Sequence, residues 1–220
     1  MLPVGEGSNL LFTGDYEGTI LISRMRKARA LKETKEAVWI EAQSGLKMDE
    51  FIAQVVDMNL KGLENLSHIP GTVGASAVQN VGAYGVEAKD LIEEVSAVEI
   101  KTLRTCVFTN QDCRFAYRDS RFKQDWKDQY VITRVTYRLQ KNGALRLDYG
   151  GLSKAFAGRD IAGLTAADVR EAVIGIRREK LPEVSEFGSA GSFFKNPVIP
   201  VAQYQALLAQ YPDLPHYEAP

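Results

Sequence analysis

The residue types most suggestive of chemistry lie in one small-residue stretch, Ile69-Pro70-Gly71-Thr72-Val73-Gly74-Ala75-Ser76-Ala77-Val78-Gln79-Asn80-Val81-Gly82-Ala83-Tyr84-Gly85. Between His68 and Glu87 there is no charged side chain, and four glycines and three alanines occur. Glycine permits φ > 0 and removes the Cβ that would hold a ligand away from the main chain. Successive N–H groups without bulky neighbours can hydrogen-bond a diphosphate without formal charge. A tightly packed loop against a helix is the alternative, but Gln79, Asn80 and Tyr84 add polar groups that mere packing does not need. The stretch therefore reads as a main-chain cradle for an anionic cofactor.

Three further segments carry polar groups in compact patterns. Gly5-Glu6-Gly7-Ser8-Asn9 could turn its N–H groups toward an anion, although Leu10 stands where a dinucleotide fingerprint needs its third glycine, so a plain tight turn is the simpler reading. Arg114-Phe115-Ala116-Tyr117-Arg118-Asp119-Ser120 reads on composition as a surface helix with internal ion pairs. Gly188-Ser189-Ala190-Gly191-Ser192-Phe193-Phe194-Lys195-Asn196-Pro197 would present Ser192 on a turn. It lacks G-x-S-x-G spacing and a neighbouring His–Asp pair, which argues against a hydrolase nucleophile.

The elements that must hold these segments show through hydrophobic periodicity. Strand-like runs occur at 19–23, 38–42, 95–100, 105–108 and 131–139. In the last, Val131, Val135, Tyr137 and Leu139 share one face and Arg134, Thr136 and Arg138 the other, the mark of a half-buried antiparallel strand. A helix is predicted over 48–60, with Ile52, Val55, Val56 and Leu60 in one stripe. A second begins at a Thr165-x-x-Asp168 capping box, buries Val169, Val173 and Ile176, and stops at Leu181-Pro182. Arg177, Arg178 and Lys180 in its last turn suit the negative end of the helix dipole, or could bind a phosphate. Irregular alternation of strands and helices predicts an α+β fold rather than a doubly wound sheet. The polar stretch 181–188 is a candidate domain boundary, giving 1–180 and 181–220.

Composition excludes several classes. Lys plus Arg number 27 and Asp plus Glu 28, so no global field favours nucleic acid or a membrane surface. Cys106 and Cys113 lack C-x-x-C spacing, and His68 and His216 are too far apart to suggest a metal site. No apolar run approaches ~18 residues, and the first residues lack a signal-peptide pattern. A cytoplasmic, monomeric enzyme is the expectation. The chain reaches Gly5 after four residues, leaving no room for a strand, and stops soon after Leu207-Leu208 without a cap. A piece of a longer protein is expected.

Taken together, Gly-Glu-Gly-Ser-Asn-Leu-Leu (5–11), Ile-Pro-Gly-Thr-Val-Gly (69–74), Gln-Asn-Val-Gly-Ala-Tyr-Gly-Val-Glu (79–87), Tyr-Arg-Asp-Ser (117–120) and Ala-Gly-Ser-Phe-Phe-Lys-Asn-Pro (190–197) resemble, in order, the motifs of the UDP-N-acetylenolpyruvoylglucosamine reductase family. The resemblance implies an FAD-binding domain of the vanillyl-alcohol-oxidase (PCMH) type over 1–180, then the start of an α+β substrate-binding domain over 181–220. It implies FAD as cofactor, held by Gly5, Gly7, Ser8, Asn9, Pro70, Gly71, Gly74, Ala75, Gln79, Asn80, Gly82, Ala83, Tyr84 and Gly85. It implies NADPH as reductant and UDP-N-acetylglucosamine enolpyruvate as substrate, reduced to UDP-N-acetylmuramate for peptidoglycan.

By the same resemblance Arg118 stabilises the enolate-like carboxylate, a task suited to a planar, permanently charged fork. Ser192 donates the proton, and Tyr149, Lys180 and Asn196 surround the uridine diphosphate. The family's third catalytic residue, a glutamate, would lie beyond Pro220, so this chain alone is expected to bind FAD poorly and turn over little or not at all. Two alternatives stand beside this reading. One is another flavin oxidase of the superfamily, with His68 as the covalent attachment point. The other is an inactive truncated product.

Overall fold

Two short strands, β1 (Leu2–Val4) and β2 (Ile20–Ile22), open the chain and pair in parallel. A strand does precede Gly5, contrary to the expectation that four residues leave no room for one. Strands β3 (Ala28–Glu33) and β4 (Ala37–Gln43) follow, then helix α1 (Met48–Asp57) and the short helix α2 (Val73–Gln79). A small hairpin, β5 (Gly82–Ala83) with β6 (Val86–Glu87), leads to β7 (Ile92–Glu99), β8 (Thr105–Thr109), α3 (Asn110–Cys113) and β9 (Tyr130–Gln140). Helices α4 (Gly150–Ala155), α5 (Ala166–Lys180) and α6 (Val201–Gln210) follow, and single 3-10 turns lie at Glu64–Leu66, Ala88–Asp90 and Arg121–Lys123. This computed structural model describes residues 1–182, 186–189 and 194–217.

The chain divides into two compact units, Met1–Ser189 and Ala190–Pro220. In the first, a five-stranded antiparallel sheet runs β3-β4-β9-β7-β8. This mixture of helix with an antiparallel sheet is the α+β class that the irregular alternation predicted. The helical stripe of α1 buries Phe51, Ile52, Val55 and Val56 in the core that also takes Ile40 and Ala42 of β4 and Val135, Tyr137 and Leu139 of β9. Each large apolar side chain so buried contributes about 1.5–3 kcal/mol before entropy is counted.

Two details differ from the periodicity. Helix α1 ends at Asp57 rather than near 60, because Asn59 adopts φ 57 and closes a Schellman-type cap. There the Leu60 N–H donates to Val55 C=O at 3.0 Å and the Asn59 N–H to Val56 C=O at 2.9 Å. In β9 the alternation holds from Val135 to Leu139, but the pairing with β7 slips between Ser96 and Ala97. The slip turns Ile132, not Val131, into the core, as a bulge does.

Helix α5 starts at the capping box read from sequence, with the Thr165 hydroxyl accepting from the Asp168 N–H and the Asp168 carboxylate accepting from the Thr165 N–H. Val169 and Val173 pack with Leu152 and Phe156 of the α4 region in a second apolar cluster that also touches Tyr84. In the second unit, α6 starts after Pro200, and the Tyr204 hydroxyl lies 2.8 Å from His216 Nδ1. No helix among the described residues is long and apolar enough to cross a membrane.

Candidate functional site

Residues 5–9 leave β1 and turn sharply, with Gly7 at φ 75 and the Leu10 N–H bonded to Gly7 C=O at 3.2 Å. Only glycine takes that conformation without strain. The N–H groups of Glu6, Gly7, Ser8 and Asn9 have no hydrogen-bond acceptor among the described residues. Side chains fasten this turn. Glu6 accepts from the Gly71 N–H at 2.6 Å and pairs with Lys47 at 3.5 Å, and Asn9 donates to Gln79 at 3.3 Å. A Cβ on Gly5 would meet Thr72 Oγ1 at 3.1 Å and Ala75 Cβ at 3.2 Å, so the turn lies directly on the start of α2. Between them is a cavity of about 400 Å³, lined on those sides by Gly5, Gly7, Ser8, Gly71, Gly74 and Ala75. Asn9 and Gln79 also line it.

The 70–85 run behaves differently. Four of its five leading N–H groups already have partners: Gly71 donates to Glu6, Val73 to Leu46 C=O at 2.9 Å, Gly74 to Ser44 C=O at 3.0 Å, and Ala75 to the Thr72 hydroxyl, while the Thr72 N–H has no acceptor among the described residues. Gly74 is small for a packing reason, since a Cβ there would sit 2.8 Å from Ser44 Cβ. The run therefore offers one open donor at Thr72 rather than the expected succession of free N–H groups. Its members at 71, 74, 75 and 79 wall the cavity by shape, while the adjacent open donors come from residues 6–9. Pro70 lies just outside, beside Gly71.

Asn80 is fully buried and caps α2 in the left-handed conformation. Its amide is fully engaged, donating to Ala116 C=O at 2.8 Å and accepting from the Lys89 N–H at 2.9 Å. Gly82, Ala83, Tyr84 and Gly85 do not line the cavity. They form the β5–β6 hairpin, whose two central residues, Tyr84 and Gly85, have φ 48 and 80. Positive φ at both positions matches the twist of a two-residue hairpin. For tyrosine this conformation is uncommon, and neighbours hold it. Asn65 donates to Tyr84 C=O at 2.8 Å and to Arg146 C=O at 2.9 Å, and the Tyr84 ring meets the Tyr149 ring edge-on at 6.3 Å.

Against that hairpin lies Arg118. Residues 114–120 are not the surface helix that composition suggested. Arg114 and Arg118 both have positive φ, and Ala116 and Asp119 bond each other's main chain across a tight turn. The Arg118 guanidinium donates from Nη2 to Gly82 C=O at 2.5 Å and stands 3.9 Å from Glu87. A Cβ on Gly82 would come within 2.7 Å of Nη1, so glycine makes room for the cation. Lys123, which lines the cavity, donates to Arg118 C=O at 2.9 Å and links the two regions. A non-glycine residue in left-handed backbone, clamped from several sides, is a common sign of a functional position.

Of the remaining predicted residues, Tyr149 is the N-cap residue just before α4, beside Gly85, and Lys180 is the exposed last residue of α5. Ser192 lies outside the described residues, and Asn196 belongs to the second unit. Arg177 has a structural task, donating from Nε to His68 C=O at 2.9 Å. His68 itself does not line the cavity. Its N–H donates to Asp49, which also receives a two-pronged bond from Arg170. Burial acts to raise the Asp49 pKa, but the bonds from Arg170 and from the His68 N–H outweigh it and hold the carboxyl below its usual range. Burial pushes the Cys113 thiol up to about 12, so it stays protonated and unreactive.

Sequence reasoning missed Ser44 and Gly45, which close the cavity from below. A Cβ on Gly45 would lie 2.3 Å from Ser23 C=O, and its N–H bonds Met25 C=O at 3.0 Å. The Ser-Gly pair after a strand was the available signal. Glu87, 3.9 Å from Arg118, gave none beyond its place at the end of a motif, and its partner Lys89 lies outside that motif.

Residues 1–102 match the family model described as "FAD binding domain". A curated UDP-N-acetylenolpyruvoylglucosamine reductase from Neisseria meningitidis serogroup C (strain 053442) is 46% identical over 224 residues, covering 100% of this chain and 64% of that protein. The enzyme of the same name from Burkholderia ambifaria (strain MC40-6) is 43% identical over 221 residues, covering 100% of this chain and 63% of that one. The chain is thus similar along its whole length to proteins named UDP-N-acetylenolpyruvoylglucosamine reductase. It spans about 64% of the length of the curated relatives it matches. The crystal structure of the reductase from Thermus caldophilus shares the fold, with a TM-score of 0.60 at 23% identity, covering 89% of this chain and 60% of that one. The likeness of residues 1–102 to an FAD-binding domain agrees with the flavin cofactor that the motifs implied.

Proposed function

We propose that this chain is the flavin-binding part of a UDP-N-acetylenolpyruvoylglucosamine reductase, which uses NADPH to reduce UDP-N-acetylglucosamine enolpyruvate to UDP-N-acetylmuramate. The observation that carries the reading is the turn at residues 6–9, with four adjacent N–H groups lacking acceptors among the described residues, inside the segment that matches an FAD-binding domain. Such a run of main-chain donors suits the diphosphate of a dinucleotide, and the small residues at 71, 74 and 75 let it approach. Bound FAD supplies hydride transfer from NADPH to the enolpyruvyl group.

The chain's own residues then have distinct tasks. Gly5, Gly7, Ser8 and Asn9 hold the diphosphate, while Gly71, Gly74, Ala75 and Gln79 shape the opposite wall. Pro70, Asn80, Gly82, Ala83, Tyr84 and Gly85 support the cofactor by fixing the run and its hairpin. Arg118 binds the substrate carboxylate and stabilises the negative charge that grows on it as the carbon is reduced. Ser192 delivers the proton to the carbon beside that carboxylate, and Tyr149, Lys180 and Asn196 bind the uridine diphosphate. The reaction places the protein in the cytoplasm, where NADPH and nucleotide sugars are made.

Arg118→Lys in the complete protein tests this reading through the two half-reactions, followed separately under anaerobic conditions. Flavin reduction by NADPH should stay near the wild-type rate. Reoxidation by the enolpyruvyl sugar nucleotide should slow about a hundredfold, because a point charge does not reproduce the fork. Equal slowing of both halves would make Arg118 structural and end this assignment.

A further inference from the structure

We infer that Glu87 and Lys89 act as a positioning pair for Arg118, aiming its guanidinium while keeping its charge available to an anionic substrate. The inference rests on the carboxylate-binding role proposed above for Arg118. Glu87 stands at the centre of the arrangement. One carboxylate oxygen meets Lys89 Nζ at 2.7 Å, whereas the other is 3.9 Å from Arg118 Nη1. The stronger partner is thus the lysine, and the arginine is held only loosely. A close two-pronged Arg–carboxylate pair would fill the guanidinium fork and neutralise it. Lys89 prevents that closure by claiming the carboxylate first.

The pair is itself held in place. Glu87 accepts from the Asp90 N–H in a capping box while the Asp90 carboxylate accepts from the Glu87 N–H at 3.1 Å. Lys89 donates its N–H to Asn80 at 2.9 Å and receives Asn110 on its carbonyl at 2.7 Å. Arg118 is aimed by Gly82 C=O, which takes Nη2 at 2.5 Å and leaves Nη1 with only the loose contact to Glu87. Among Glu87, Lys89 and Arg118, two cations and one carboxylate leave one positive unit, and Arg146, 3.9 Å from Asp90, offsets that further carboxylate. All three side chains are partly buried, at 35%, 24% and 37% exposure, so solvent screens them incompletely. A substrate carboxylate then meets an oriented cation that its neighbours have not already neutralised.

The test uses the complete protein and both half-reactions. Lys89→Met should slow substrate reduction about tenfold, with flavin reduction by NADPH and the melting temperature close to wild type. Lys89→Arg should retain most of the rate, because it still occupies Glu87. Glu87→Gln keeps a capping acceptor but has no charge to place on Arg118, and should cost only about threefold through looser aim. The deciding variant is the double substitution Lys89→Met with Glu87→Gln, which should recover to the rate of Glu87→Gln alone. A double variant as slow as Lys89→Met, or a Lys89→Met at wild-type rate, overturns the pair. If Arg118→Lys fails to slow substrate reduction, the role of Arg118 falls first. If Arg118→Lys slows it and Lys89→Met does not, only the pair falls.

Discussion

The turn at residues 5–9 and the run at 70–85 are both rich in small residues, yet the structure uses them for opposite ends. In the run, the main-chain donors at 71, 73, 74 and 75 are bonded to protein, and Gly74 exists so that α2 can lie on Ser44. In the turn, Gly7 has open space around it and its neighbours' donors have no acceptor among the described residues. Glycine content alone does not separate a packing device from a binding device. The fate of each N–H does.

Three substitutions would sharpen or break that contrast. The largest effect is expected at Gly74→Val, which forces a branched side chain into Ser44 and should destabilise the fold by about 2–3 kcal/mol in thermal or urea unfolding. Gly7→Val meets no neighbour but cannot hold positive φ easily. It should weaken FAD binding about tenfold in a fluorescence titration while changing the melting temperature little. Loss of flavin affinity by Gly74→Val without loss of stability, or the converse for Gly7→Val, would erase the distinction.

The smallest effect concerns the brace behind the run, where Arg170 and the His68 N–H hold Asp49. Arg170→Ala should cost about 1–2 kcal/mol at pH 7, discounted because Asp49 is about a third exposed. The Asp49 pKa is depressed in the folded chain, so this stabilisation is present above its unfolded pKa of about 3.9 and disappears as pH falls through the lower folded value. Unfolding curves of the two proteins should therefore converge in acid. A constant gap from pH 7 to pH 3 would show that Asp49 is not the partner that matters.

Much of the frame was legible in the sequence because burial imposes a period. The stripe in α1, the capping box of α5 and the alternation through Tyr137 and Leu139 all sit where expected. What escaped depended on partners distant in sequence. The slip in β9 answers Ser96 and Ala97, the edge strand β3 has mostly exposed residues, and α2 hides within residues that resemble a loop. The site was legible as a set of segments but not in its division of labour. Arg118 was found through its motif, yet its left-handed turn and its shared carboxylate depend on Gly82, Glu87 and Lys89, which no local pattern ties to it.

The open donors of the 6–9 turn belong to the peptide backbone, and on the proposed function that has a consequence for the conditions under which a diphosphate stays bound there. Peptide N–H groups neither gain nor lose protons across the range a cell experiences, unlike the histidines that hold phosphates elsewhere. A diphosphate gripped by them keeps its hold through swings in acidity that would loosen a site built on titrating side chains. That part of the grip then answers to the supply of the dinucleotide rather than to the pH of its surroundings.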